Sequence, residues 1–345
     1  MFKKRIALIL VIALVFVFSA GCSKPEAPST TPGGEAKEEV KPVKLKMSIT
    51  VAENSSWFEA ATKFKELLAE RTNGKYIVDI FPSEQLSGGN SVKGIEMVQA
   101  GATDLDIHST IIWTAIEPKF TVVNMPWLIP SYEEADAALG GKGKEMLFDL
   151  ARAKGVVPLA LGESGYRQVT NNKRPIKTPA DMKNLKLRVP GIKMYVDLYG
   201  VLGADPTAMN FSEVFTSLQM GTIDGQENPL DVITSAKLEE VQKYITMWNY
   251  SYDTLLMSVS NKTWDSLDDE TKKIFQETAT EAMNFQKQRA REINGTNLDY
   301  LKTKMEIYEM TQEEIGEFRK MAQPIYDQYE SIIGLELLEA FGYKK

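Results

Sequence analysis

An arginine in a short apolar segment is the residue of this chain best suited to bind an anion. Arg188 stands in the run Lys186-Leu187-Arg188-Val189-Pro190, which predicts a strand that ends at the proline. Open α/β sheets bind ligands at the carboxyl ends of their strands. A guanidinium group there can hold a carboxylate through two parallel hydrogen bonds. Taken alone, an arginine is more often an exposed residue paired with a nearby acid, so its surroundings decide the interpretation.

Two neutral side chains downstream could complete a site for a small molecule. Phe211 stands at the start of a predicted helix, where its ring could pack against a ligand or against a helix neighbour. Asn228, in Asp224-Gly225-Gln226-Glu227-Asn228-Pro229, can both donate and accept hydrogen bonds. Beside a proline it is by itself more typical of a turn residue.

Arg167 is a second candidate cation, within Gly162-Glu163-Ser164-Gly165-Tyr166-Arg167. An ion pair with Glu163 or with another acid would explain it equally well. The carboxylates Asp224 and Glu227 could instead act as a general acid and base. Their spacing does not show that the two groups flank a bond, so an exported enzyme is the minor alternative and we expect a protein without catalytic activity.

Candidates from the first part of the chain share one location, the end of a predicted strand where the next helix begins. Polar groups at such turns can face a cleft, although they more often cap a helix or pack locally. The candidates are Glu53, Asn54, Trp57 and His108.

A metal site is the alternative for the last of these residues. Asp104, Asp106 and His108 alternate along one predicted strand and could share one face. His108 is the only histidine of the chain, and no second group of ligands has usable spacing. We therefore expect no metal and no cofactor.

Strand and helix patterns alternate along the chain and predict an α/β architecture with a largely parallel first sheet. Ser56-Trp57-Phe58-Glu59 predicts a helix start, and Asn210-Phe211-Ser212-Glu213 predicts another. Helical periodicity then continues from Trp264 to Asn294, which is long for a globular helix.

Several of these blocks agree in order and spacing with one known family. The segment from Lys186 to Pro190, the segment from Leu202 to Phe215 and the segment from Asp224 to Pro229 resemble the signature of the DctP-type substrate-binding proteins of TRAP (tripartite ATP-independent periplasmic) transporters. The resemblance covers the chain from about Lys46 onward. It implies a receptor that captures an organic acid, such as a C4-dicarboxylate or a sugar acid, and delivers it to a membrane permease. A receptor for another importer or a sensor system, and an exported hydrolase acting on carboxylated sugars, remain alternatives.

The resemblance also implies roles for individual residues. Arg188 would form a salt bridge with the ligand carboxylate, and Asn228 would approach the same group. Phe211 would pack against the carbon skeleton, and Arg167 would line the pocket.

The same resemblance implies an α/β, two-lobed, periplasmic-binding-protein-like fold of type II, with a central ligand cleft and a long helix spanning both lobes. Residues 45–165 with about 254–293 would form lobe I, and residues 166–253 with about 294–345 would form lobe II. A length of about 300 folded residues agrees with two lobes.

The amino terminus predicts export. Residues 1–22 combine a positive start, an apolar run shorter than the roughly 20 residues of a membrane span, and small residues before Cys22. This pattern predicts a lipoprotein-type signal peptide, with Cys22 as the lipid anchor at the membrane surface. Residues 23–44 are rich in Pro, Ser, Thr, Glu and Lys and predict a flexible tether. We expect an extracytoplasmic protein, in the periplasm or on the outer face of the cytoplasmic membrane.

Composition excludes several other classes of function. The chain of 345 residues has a formal net charge of −7 and no basic stripe, so a nucleic-acid partner is not expected. Cys22 is the only cysteine, so no intramolecular disulfide can form, and the folded part has no thiol nucleophile.

Overall fold

The computed structural model describes residues 41–344. The predicted signal peptide, Cys22 and residues 23–40 of the predicted tether lie outside the described residues. The first strand begins at Val43, within the segment predicted as tether.

Eleven strands are present in the described part of the chain. They are β1 Val43–Ile49, β2 Tyr76–Phe81, β3 Leu105–Ser109, β4 Val156–Tyr166, β5 Gln168–Asn171, β6 Lys186–Val189, β7 Asp205–Ala208, β8 Gly225–Asn228, β9 Tyr244–Met247, β10 Tyr252–Ser260 and β11 Glu306–Glu309.

These strands form two sheets. The first sheet has the order β2-β1-β3-β10-β4, and the second has the order β11-β9-β5-β8-β6-β7. Strands β1, β2 and β3 are parallel, as predicted, but β10 runs antiparallel to both β3 and β4. Four of the five strands therefore run in one direction, as predicted for a largely parallel sheet, and β10 is the exception because it enters this sheet after the chain has passed through the second one.

Twelve α-helices connect and cover the sheets in the described residues. They are α1 Ser56–Arg71, α2 Ser91–Gln99, α3 Thr110–Trp113, α4 Tyr132–Gly140, α5 Lys142–Ala153, α6 Lys193–Val201, α7 Val214–Gln219, α8 Leu230–Ser235, α9 Asn261–Asp265, α10 Asp269–Lys302, α11 Gln312–Ile333 and α12 Leu335–Ala340. Short 3₁₀ turns add Gln85–Ser87, Pro118–Asn124, Pro179–Met182, Phe211–Glu213 and Leu238–Glu240.

The start of α1 differs by one residue from the prediction. Ser55, and not Ser56, is the N-cap, and its hydroxyl accepts a hydrogen bond from the Phe58 amide. The Ser56 hydroxyl donates instead to Asp231 Oδ2 at 2.7 Å. Ser56 thus bonds to a residue 175 positions away in the sequence and does not act as the N-cap.

The helix α10 contains 34 residues and begins at the N-cap Asp268. Phe275, Ala279 and Met283 on its first half pack into the core beneath the first sheet. Leu301 near its end packs into a second core beside the second sheet. The long helix predicted from the periodicity is thus present and contacts the cores of both sheets. No helix within residues 41–344 combines the length and apolarity required to span a bilayer.

The carboxy-terminal helices lie against elements on both sides of the molecule. Helix α11 packs against α6 and against the 3₁₀ segment Pro118–Asn124, and α12 packs against α5. The two lobe boundaries given above stay a prediction, whereas the membership of each strand in its sheet is observed.

Candidate ligand-binding site

A small cavity of about 40 Å³, lined mostly by buried residues, receives side chains from both sheets. The lining residues are Thr50, Val51, Trp57, Ser109, Ile111, Ile112, Ser164, Arg167, Arg188, Pro190, Phe211, Asn228, Val232 and Asp253.

Arg188 lies on β6 and is only 3% exposed. Its Nε and Nη2 atoms donate to the Met209 carbonyl oxygen at 3.0 and 2.7 Å, which occupies one edge of the guanidinium group. Nη1 makes no hydrogen bond to the described residues, and Nη2 has a second N–H that points along the same side of the group as Nη1. These N–H groups form the free Nη1–Nη2 edge of the guanidinium. The ring of Phe211 lies 5.8 Å from the guanidinium carbon.

No carboxylate of the described residues forms a salt bridge with Arg188. Burial lowers the pKa of its guanidinium to about 10, with partial compensation from Glu227 and a further decrease from the neighbouring charge of Arg167. A buried cation without a paired anion is costly. The free edge of Arg188 is therefore the strongest anion-binding feature of the cavity.

Arg167, between β4 and β5, has a different environment because its charge is compensated. Its Nε and Nη2 atoms donate to the Glu227 carboxylate, and Nη1 donates to Asp253 Oδ2 at 2.8 Å. Burial alone would lower the pKa of Arg167, but the charge and hydrogen bonds of Glu227, together with the charge of Asp253 and the effect of Tyr195, outweigh burial and raise the pKa well above its usual value. The ion pair considered for Arg167 is thus present, but its partners are Glu227 and Asp253 and not Glu163.

Asp253 is the acidic residue of the cavity lining. Burial raises the pKa of its carboxyl group to about 6, against the opposing effect of Arg167. Its Oδ1 atom accepts a hydrogen bond from the Ser109 hydroxyl. Asp253 lies on β10 and was not among the predicted site residues.

Asn228, at the end of β8, also lies in the cavity wall. Its Oδ1 atom accepts from Arg167 Nη2 at 2.9 Å, and its Nδ2 atom donates to Gln226. The second N–H of that amide makes no bond to the described residues. Asn228 is thus fixed in orientation and retains a donor beside the arginines.

Two buried polar atoms of the lining have no hydrogen-bond partner among residues 41–344. They are Nε1 of Trp57, whose side chain is 3% exposed, and Oγ of Ser164, whose side chain is 1% exposed. Buried polar groups are nearly always satisfied, so both atoms require a partner that residues 41–344 do not supply. Trp57 was one of the residues predicted for the site, whereas Ser164 was not.

The other predicted residues of the first part of the chain lie elsewhere. Glu53 and Asn54 are exposed and do not line the cavity. His108 is fully buried, with Nδ1 at 2.8 Å from Asp106 Oδ2 and Nε2 at 2.8 Å from Glu84 Oε1. Burial alone would lower the pKa of His108, but Glu84 and Asp106 outweigh this effect and raise it to about 10.

The residues considered for a metal site or for acid–base catalysis have other partners in the structure. Asp104 accepts from the Lys46 amide and the Thr263 hydroxyl, and it does not converge with His108. No group of three or more potential metal ligands is assembled within residues 41–344. Asp224 pairs with Lys173 at 3.1 Å, whereas Glu227 binds Arg167.

A second, larger cavity of about 330 Å³ adjoins the first and shares Ile112, Arg188 and Phe211 with it. Near this cavity, the Ser212 hydroxyl donates to the Gly89 carbonyl at 3.1 Å. Gly89 belongs to the connection that follows β2 of the first sheet, and Ser212 belongs to the connection that follows β7 of the second. A direct bond therefore joins the two sides at the cavity rim.

Two sheets that share a buried, arginine-containing cavity define a two-lobed solute-binding protein. Solved structures with the same fold are TRAP periplasmic solute-binding proteins. One, from Ralstonia eutropha with bound acetolactate, has a TM-score of 0.84 and 31% identity and covers 87% of this chain and 98% of its own. Another, the sugar acid binding protein of Advenella mimigardefordensis in complex with galactonate, has a TM-score of 0.84 and 30% identity and covers 88% and 97%.

Residues 47–332 match the family model of the bacterial extracellular solute-binding proteins, family 7 (DctP), and the chain belongs to this family. The chain is 34% identical over 258 residues to the 2,3-diketo-L-gulonate-binding periplasmic protein YiaO of Escherichia coli, covering 75% of this chain and 78% of the relative. It is 31% identical over 296 residues to the C4-dicarboxylate-binding protein DctB of Bacillus subtilis, covering 85% and 84%. The protein is therefore an extracytoplasmic solute-binding receptor of the TRAP type, as the sequence motifs predicted.

Proposed function

We propose that this receptor captures a small organic-acid anion through a salt bridge between the ligand carboxylate and Arg188. The observation that carries the proposal is the free Nη1–Nη2 edge of a guanidinium that is buried and lacks an acidic partner in the described residues. Two parallel N–H donors on that edge match the two oxygens of a carboxylate. A bound carboxylate would give Arg188 the salt-bridge partner that it lacks among the described residues.

Neighbouring structures support a carboxylate ligand. The proteins from Ralstonia eutropha, Advenella mimigardefordensis and Shewanella oneidensis hold acetolactate, galactonate and succinate, respectively, and each of these molecules carries a carboxylate. Their remaining parts differ, so the carboxylate is the feature that a common arginine can recognise.

The proposed binding residues are those that line the cavity. Arg188 binds the carboxylate, and the free amide N–H of Asn228 adds a donor beside it. Phe211 covers the guanidinium and the adjoining ligand atoms. Arg167 fixes Asn228, while Trp57 contacts the part of the ligand beyond the carboxylate. The proposed site does not include Glu53, Asn54 or His108.

The proposal extends to how the receptor works in transport. Residues 45–165 with about 254–293, and 166–253 with about 294–345, would act as two lobes that close over the ligand by a hinge motion. The loaded receptor would dock on the membrane subunits of a TRAP permease, held near the membrane by acylated Cys22 and residues 23–44. The ligand would leave chemically unchanged, so the protein would have no catalytic activity.

A thermal-shift screen against a panel of organic acids tests this proposal, because a ligand that binds the native state raises its apparent stability. We expect at least one acid to raise the melting temperature of the wild-type protein. Arg188→Lys is expected to lose most of that shift, since a point charge cannot reproduce the planar pair of donors.

Arg174→Lys is the matched control. Arg174 also donates to backbone carbonyls, at 2.9 and 2.8 Å, but it lies outside the cavity lining. Its substitution is expected to preserve the ligand-induced shift. Equal shifts in wild type and Arg188→Lys would refute the assigned role of Arg188, and recovery of a chemically altered ligand would refute the absence of catalysis.

A further inference from the structure

The first sheet and its connections contribute an almost uncharged wall to the cavity. Among the described lining residues from this side, the only charged group is the carboxylate of Asp253 on β10. The cations Arg167 and Arg188 come from the junction of the sheets and from the second sheet. A ligand held by Arg188 therefore meets no further cation along the first-sheet wall.

The charges around the cavity limit how many carboxylates the ligand can carry. Arg167 is already bound by Glu227 and Asp253, so Arg188 alone is left to pair with the ligand. A second ligand carboxylate would be buried without a cation and close to an acidic side chain. Burial of an unpaired charge costs far more than burial of a hydrogen-bonded neutral group.

The two unpartnered polar atoms show what the rest of the ligand must supply. Trp57 Nε1 can only donate a hydrogen bond, so it requires an acceptor oxygen. Ser164 Oγ can donate or accept, so a hydroxyl or an oxo oxygen would satisfy it. A hydrocarbon acid would leave both atoms unsatisfied in the closed cavity.

The remaining lining limits how polar the ligand can be. The hydroxyls of Thr50 and Ser109 already donate to Glu84 and Asp253. Apolar side chains fill much of the rest of the wall, among them Val51, Ile111, Ile112 and Val232. Several hydroxyls of a sugar acid that carries one on every carbon would find no hydrogen-bond partner in this wall. A short apolar skeleton would pack well against the apolar side chains.

Building on the proposed function, we propose that the ligand is a monocarboxylate with a short, largely apolar skeleton that carries a hydroxyl or oxo oxygen. Trp57 and Ser164 bind that neutral oxygen. Asp253 acts as a specificity-determining residue that excludes a second carboxylate.

Titration calorimetry on the purified protein with six acids tests this inference. α-Ketoisovalerate and α-hydroxyisovalerate carry the oxygen, isovalerate lacks it, malate and succinate carry a second carboxylate, and galactonate is fully hydroxylated. We expect the better of the two oxygenated acids to bind at least about tenfold more tightly than isovalerate. We expect it to bind about a hundredfold more tightly than the dicarboxylates or galactonate.

Two variants assign the selectivity to residues. Trp57→Phe removes the indole N–H. It is expected to lower the affinity for the oxygenated acids about tenfold, while the affinity for isovalerate stays within about threefold of the wild-type value. Asp253→Asn removes the acidic charge and is expected to raise the affinity for malate at least about tenfold. Trp264→Phe is the matched control, because Trp264 is a partly buried tryptophan outside the cavity lining, and it is expected to change none of these values.

The outcomes separate this inference from the proposed function. If malate, succinate or galactonate binds wild type as tightly as the oxygenated monocarboxylates, and Arg188→Lys weakens that binding, the ligand class is wrong and the role of Arg188 stands. If isovalerate binds as tightly as its oxygenated analogues, the assignment of Trp57 and Ser164 is wrong. If acids bind equally well to wild type and Arg188→Lys, the proposed function itself is wrong. The ranking of the six acids on the wild-type protein decides the ligand class even if a variant fails to fold.

Discussion

Replacement of Arg188 by methionine is expected to separate ligand binding from folding. Methionine retains an unbranched side chain in the cavity but removes the charge and all five N–H donors. We expect the variant to fold with nearly unchanged stability and to lose measurable affinity for the cognate acid. The two parts of this expectation follow from different contacts of the same side chain.

The loss of affinity follows from the free edge of the guanidinium. Two charge-assisted hydrogen bonds to a carboxylate contribute about 1.5–3 kcal/mol each, or about 3–6 kcal/mol together. At about 1.4 kcal/mol per factor of ten, this corresponds to a decrease in affinity of roughly a hundredfold to ten-thousandfold.

The effect on stability is a balance of two opposing changes at Arg188. Removal of a buried cation that lacks an acidic partner favours the folded state, and replacement of buried ionic groups by apolar ones is often neutral or stabilising by about 1–4 kcal/mol. The Met209 carbonyl loses both of its side-chain donors, which costs about 1–3 kcal/mol. The net change in the free energy of unfolding is expected to stay below about 2 kcal/mol in either direction.

Urea unfolding of the ligand-free protein and calorimetric titration with the best acid from the screen measure the two quantities. Arg174→Met is the control for removal of a carbonyl-bonded arginine away from the cavity, and it is expected to bind the acid with wild-type affinity. A loss of more than about 4 kcal/mol of stability in Arg188→Met would show that Arg188 is a structural residue. Retention of wild-type affinity would refute the salt bridge with the ligand.

Two further predictions concern other contacts. Ser212→Ala removes the hydrogen bond to the Gly89 carbonyl across the cavity rim, so it is expected to raise the dissociation rate of the ligand by about two- to tenfold, as measured by stopped flow. An unchanged dissociation rate would show that this bond does not hold the bound state closed. His108→Gln is expected to destabilise the protein by about 3–5 kcal/mol in urea at pH 6, because it leaves the buried carboxylates of Glu84 and Asp106 without their cation. The pKa of His108 is raised to about 10 and that of Glu84 is lowered to about 2, so the wild-type contribution is complete between about pH 4.5 and 6.5. It is lost as the pH rises through 10 or falls through 2, and a destabilisation below about 1 kcal/mol at pH 6 would refute the ion pair.

The strand that carries Arg188 could be predicted from the sequence because its signals are local. The run from Leu185 to Val189, followed by a proline, predicted the strand, and β6 ends at Val189 as predicted but begins one residue later, at Lys186. Combined with the motif from Asp224 to Pro229, this was sufficient to assign the receptor family.

Other parts of the site could not be predicted because they depend on distant residues. Arg167 finds its acidic partners 60 and 86 positions away, at Glu227 and Asp253, and neither spacing has a local signature. The start of α1 shifted by one residue because Ser56 binds Asp231. The direction of β10 likewise depends on where the chain re-enters the first sheet.

Residues at turns presented a different difficulty. Glu53, Asn54 and Trp57 follow one another closely after β1, yet only Trp57 reaches the cavity. Sequence patterns identify such a turn by its polar residues, and polar residues there usually face solvent. The side chain that lines the cavity is the apolar one, which continues the buried face of α1.

The bond between Arg188 and the Met209 carbonyl has a consequence for binding entropy. A free arginine side chain loses about 2 kcal/mol of rotamer entropy when it is immobilised. Here the backbone immobilises the guanidinium during folding, before any ligand arrives. Ligand binding therefore does not have to order this side chain. Each 1.4 kcal/mol of entropic cost avoided in this way raises the affinity by up to about tenfold. An arginine transplanted alone into another cavity, without an equivalent carbonyl, would not be expected to reproduce the same affinity.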